Sequence, residues 1–94
     1  MINRGRDVML GKHFPISDYY RENVLDALTV SRQGGWWTAV LLIKDPKTKK
    51  PFISLYKWQS TESGWKVRSR FHFKRPTEVK SIMDAIEQFS EKMD

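Results

Sequence analysis

Lys66, Arg68, Arg70, His72 and Lys74 take every second position of one ten-residue stretch, and Trp65, Val67, Ser69, Phe71 and Phe73 fill the places between. Side chains of a β-strand point alternately to opposite faces. As a strand, this stretch sends aromatics into a core and a row of cations to the other side. Such a row displaces the counterions condensed on a phosphate backbone, and nearby aromatics offer stacking platforms to bases. The competing reading is a charged strand face that is simply solvated.

Other chemistry has little to work with. There is no Cys, so thiol nucleophiles, disulfides and thiolate metal sites are excluded. His13 and His72 lie far apart, and His72, set among cations, fits the basic row better than the role of a general base. No His, Asp and Glu cluster has metal-ligand spacing, and no Gly-rich phosphate loop precedes a helix. The expectation is a non-enzyme with no metal, no cofactor and no small-molecule substrate.

Charge along the chain sharpens the partner. Residues 44–75 carry ten cations and two acids, residues 1–43 five and four, and residues 76–94 two and five, which together give the net +6. The basic charge is concentrated in the middle and the C-terminal end is acidic, so an anionic partner is expected at the central segment. No apolar run reaches the length of a bilayer span and there is no secretory h-region, so an intracellular protein of cytoplasm or nucleoid is expected.

The elements that must position these residues follow from periodicity. A chain of 94 residues is expected to form one domain with one modest core, helped by four Trp, five Phe and three Tyr. Residues 1–17 show no clear period and read as a flexible or arm-like N-terminus, leaving residues 18–94 as a single α+β nucleic-acid-binding domain. Ser17 or Asp18 can cap a short helical turn near 18–24, followed by a strand through Ala27 to Arg32; the alternative is one helix ended by Gly34. Gln33-Gly34-Gly35 is a hairpin turn. Trp36 to Lys44 is a strand that is apolar on both sides, with Trp37, Ala39, Leu41 and Ile43 on one face and Trp36, Val40 and Leu42 on the other. A strand apolar on both sides needs two covers. The second cover is expected to be another subunit, giving a homodimer, unless the N-terminal segment supplies it.

Asp45 to Pro51 is a polar turn carrying three lysines. Phe52 to Gln59 is the next strand, with Phe52, Tyr56 and Trp58 on one side and Ile53, Leu55 and Lys57 on the other, and Ser60 to Gly64 closes a hairpin into the basic stretch. Pro76 suits the first position of a helix, and Val79, Ile82, Met83, Ile86, Phe89 and Met93 recur at helical spacing. The expected fold is α+β: a four-stranded antiparallel meander followed by a C-terminal amphipathic helix packed on one sheet face.

Register decides which aromatics are free. If Trp58 stands opposite Trp65, both belong to the core and Lys57 joins Lys66 and Arg68 on the cation side; a slip of one residue moves Tyr56 and Trp58 to the basic face. In the first register Trp36, beside its turn, is the aromatic expected to stay available.

The stretches Thr29 to Trp36, Glu62-Ser63-Gly64-Trp65-Lys66, and Phe71-His72-Phe73 running into Arg75-Pro76-Thr77-Glu78 carry a resemblance. Together they look like the single-strand-binding fold of the positive-cofactor-four-type transcriptional coactivators and their Whirly relatives. They are also similar to the ThermoDBP-type single-stranded DNA-binding proteins of thermophilic archaea. The resemblance covers about two thirds of the chain. It implies single-stranded DNA on a curved sheet face and dimers with the helices at the interface. It also implies Lys57, Lys66, Arg68 and Arg70 as DNA contacts, with Trp36 or Trp58 stacking.

The functional expectation is a single-stranded DNA-binding homodimer of little sequence specificity, using Trp36, Lys57, Trp58, Lys66, Arg68, Arg70, His72 and Lys74. Transcription, replication, repair and a viral role are all open settings. No helix is basic enough to resemble a major-groove reader, which disfavours duplex. The alternatives are RNA on the same face, or a protein-interaction subunit using the apolar strand 36–43.

Overall fold

A computed structural model describes residues 14–93. The chain runs α1 (Asp18–Arg21), β1 (Val24–Gln33), β2 (Trp36–Lys44), β3 (Pro51–Thr61), β4 (Gly64–Phe73) and α2 (Pro76–Ser90). The strands form one antiparallel sheet in the order β1-β2-β3-β4, a meander followed by a helix.

Local chemistry explains the boundaries. The Ser17 hydroxyl accepts from the Tyr19 amide at 3.1 Å and starts α1. Gly34 and Gly35 both have positive φ, 60° and 81°, so the β1–β2 hairpin takes a turn whose twist suits the two strands. In the β2–β3 loop the Asp45 carboxylate accepts from the amides of Lys47 (2.8 Å) and Thr48 (3.2 Å). Those two bonds hold its pKa below the usual carboxylate value.

The core lies on one face of the sheet. Trp37, Ala39, Leu41 and Ile43 from β2 stand beside Phe52, Ser54, Tyr56 and Trp58 from β3, with Ala27 from β1, and all are buried. The cover comes from the same chain. Phe14 stacks on Trp37 and Trp58 with ring centroids 5.1 and 5.8 Å apart, Ile16 is buried, and Tyr20 packs edge-on against Phe52. The Trp58 indole donates to the Pro15 carbonyl at 3.0 Å. Of the segment expected to be an arm, residues 1–13 lie outside the described residues, and Phe14 and Ile16 belong to the core cluster.

Two expectations change. The C-terminal helix is not packed on the sheet: α2 buries none of its residues. Its link to β4 is only Lys74 and Arg75. Its first turn, at Pro76, Val79 and Lys80, closes an apolar groove with Leu42, Pro51, Ile53 and Phe73. Beyond that turn Ile82 is half-buried, and Met83, Ile86 and Phe89 are exposed. The second change concerns β4. Lys57 pairs with Ser69 but Trp58 pairs with Val67, so Arg68 is an extra residue in a β-bulge. Trp65 stands opposite Ser60 rather than Trp58, yet both indoles keep to the core side.

Candidate nucleic-acid interface

The bulge divides the basic row between the two faces of the sheet. Before it, Lys66 pairs with Gln59 on the open face, away from the core. After it the alternation is inverted. Arg70 and His72 stand opposite Tyr56 and Ser54 on the covered face, while Phe71 and Phe73 stand opposite Leu55 and Ile53 on the open one. The expected continuous row on one face, with Phe71 and Phe73 in the core, is therefore corrected.

The open face has two unlike halves. Near the hairpin tips lie two polar rungs, Gln33, Trp36, Gln59, Lys66 and Ser31, Thr38, Lys57, Ser69. Neither contains an acid. Next come two mostly apolar rungs, Leu28, Val40, Leu55, Phe71 and Asp26, Leu42, Ile53, Phe73.

The polar half brings five side chains together. Trp36 is 39 % exposed at the start of β2, and the Lys57 ammonium lies 5.1 Å from its ring centre. This separation suits a cation–π contact. Gln59 is paired with Trp36 on one side and Lys66 on the other. Its Oε1 accepts from the Arg68 guanidinium at 2.9 Å, which draws the bulge residue into the group. The amide of Ser60 donates to the Gly35 carbonyl at 2.8 Å, so the end of β3 is tied to the β1–β2 turn. The result is a platform with one exposed indole and three cations on a rigid sheet. It can hold consecutive phosphates while a base stacks on Trp36.

The other expected site residues are elsewhere. Trp58 is fully buried, stacked parallel to Tyr56 at 5.1 Å, and is no platform for a base. Its even spacing from Phe52 and Tyr56 places it in the core, a position the sequence left to register. His72 is half-buried on the covered face, its ring 5.0 Å from Phe52 and 5.8 Å from Tyr20. Lys74 stands 5.4 Å from the Phe52 ring and 3.9 Å from the Asp45 carboxylate. Arg70 is exposed, but on the covered side, opposite Tyr56. The sequence reading missed Gln59, the hydrogen-bond centre of the cluster, and Arg32, whose guanidinium lies 4.1 Å from the Trp37 ring centre and 5.2 Å from that of Trp65. The signal for Arg32 was its place two residues before Gly34, across the turn from Trp37.

His72 gives a pH prediction. Burial, then the charges of Arg70 and Lys74, lower its pKa below 6.5. The fold thus favours neutral His72. Its contribution to stability is complete above the unfolded pKa of about 6.5 and is lost as pH falls through the lower folded value. Asp45 titrates below 3.8 and leaves this window clear. The melting temperature should fall from pH 7.5 to pH 5, and His72→Phe should remove most of that fall. An equal fall in the variant would assign the effect elsewhere.

Among the described residues, no group of His, Cys, Asp and Glu is placed to hold a metal ion, and no helix is long and apolar enough to cross a membrane. No protein-family model, curated protein or solved structure matches the chain.

Proposed function

We propose that this protein is a non-enzymatic single-stranded DNA-binding protein with little sequence preference, working as a homodimer. The observation that carries the reading is the acid-free cluster of Trp36, Lys57, Gln59, Lys66 and Arg68 on the open face. Cations capture the backbone and the exposed indole takes a base by stacking, which any base accepts. A sheet platform suits unpaired bases, and neither helix is basic in the manner of a major-groove reader. The same use of a sheet face is what the likeness to the positive-cofactor-four-type coactivators implies. The homodimer is supported by the apolar half of the open face and by the bare stripe of α2.

Fluorescence anisotropy with a labelled single strand tests this against matched duplex and RNA. With three phosphates neutralised, the salt slope is about −2, so affinity drops about 20-fold between 50 and 200 mM salt. Weaker binding to duplex is expected. Preference for RNA would point to 2′-hydroxyl contacts, and absence of binding at low salt would defeat the proposal.

A further inference from the structure

We infer that α2 of one copy lies across the apolar half of the open sheet face of a second copy, and that the exchange is reciprocal. This rests on the homodimer part of the proposed function and gives that dimer its geometry. Both complementary surfaces belong to the same chain. One is the pair of rungs built on Leu28, Val40, Leu55, Phe71 and Leu42, Ile53, Phe73, where two shallow grooves meet at Leu42 and Ile53. The other is the α2 stripe, whose Met83, Ile86 and Phe89, with Met93 just beyond, are between 55 % and 82 % exposed.

Size supports the match. The stripe from Val79 to Phe89 is about 15 Å long at 1.5 Å per residue. The outer strands of a four-stranded sheet lie about 14 Å apart, so one helix laid across the strands reaches all four. Taking roughly 200 Å² for a fully exposed large side chain, Leu42, Leu55, Phe71 and those four residues leave on the order of 750 Å² bare per chain. A standard interface takes about 800 Å² from each partner. Charge supports it as well. Residues 76–94 hold five acids and two cations, against ten cations and two acids over residues 44–75. Asp84, Glu87 and Glu91 line one flank of the helix. Lys57 and Lys44 stand on the rungs to either side of the docking half, whose own charged member is Asp26. Docking therefore brings the acidic flank within reach of cations at the edge of that half. The chain's own helix does not meet this need, since only its first turn reaches the groove.

Because the chain has no Cys, introduced thiols give a clean test. Light scattering of the intact chain should return twice the 11.2 kDa chain mass. Ile86→Asp with Phe89→Asp should return a monomer with its strand signal in circular dichroism intact, since both side chains are exposed in their own chain. A Leu55→Cys chain mixed with an Ile86→Cys chain should join through a short thiol cross-linker. A monomeric intact chain would defeat the homodimer itself. A dimer that survives the double Asp variant would keep the homodimer and overturn the helix-on-sheet geometry. So would cross-linking between two Ile86→Cys chains without the mixed product, or cross-linking within one chain carrying both substitutions.

Discussion

Trp36→Ala should weaken single-strand binding about 5- to 150-fold, the equivalent of the ~1–3 kcal/mol that stacking on an aromatic contributes per base, while leaving the salt slope nearly unchanged. Trp36 is the indole of the polar half that is exposed, and it follows a glycine turn, so its removal leaves no cavity in the core. Lys66→Ala with Arg68→Ala should have the opposite signature. Two cations fewer cut the slope by about 1.4, so affinity falls most at low salt. Anisotropy titrations of both variants at several salt concentrations separate stacking from charge. If Trp36→Ala binds like the parent chain, the indole is not the platform and the cluster acts through charge alone.

Trp58→Ala should cost about 3–5 kcal/mol of stability, a large share of the roughly 5–15 kcal/mol that a domain commonly has. The indole is fully buried, packed between Tyr56 and Phe14, with Trp37 at 4.7 Å. Its loss leaves a large cavity and deprives the Pro15 carbonyl of its donor. The urea midpoint should drop steeply, and the N-terminal segment should become the easiest part of the fold to cleave. Trp58→Phe keeps an aromatic of smaller volume and loses the bond to Pro15. Its melting temperature should lie between the two, and its strand affinity below that melt should equal the parent's. A midpoint unmoved by Trp58→Ala would refute the assignment of this side chain to the core.

The class and order of elements were legible because each rests on a local signal: period two in the strands, glycines with positive φ at the first turn, Pro76 ahead of a helical stripe. Both faces of β2 and β3 were legible for the same reason, since those strands pair without a break. The cover was harder. Phe14 and Pro15 lie in a segment without period and are held by contacts with residues more than 20 positions away. The split of the basic row was not legible at all. A bulge depends on how two strands settle against each other, and Val67-Arg68-Ser69 differs in no obvious way from an unbroken strand. Lys57 and Lys66 were thus placed together correctly, whereas Arg70 and His72 were assigned to a face they do not share with them.

Arg68 also constrains how this sheet can change in length. A β4 shorter by that one residue would keep its pairings, Val67 with Trp58 and Ser69 with Lys57, and so leave Phe71 and Phe73 on the open surface and Arg70 and His72 on the covered one. A β4 of the same length that paired straight through Arg68 would instead return Phe71 and Phe73 to the inner surface and turn Arg70 and His72 outward, exchanging an apolar surface for a second cationic one. Two chains that align with a single gap at this position therefore present the same surfaces, whereas two chains of equal length, one bulged and one not, differ in what each side of the sheet meets, so here a gap marks likeness when distant relatives are compared.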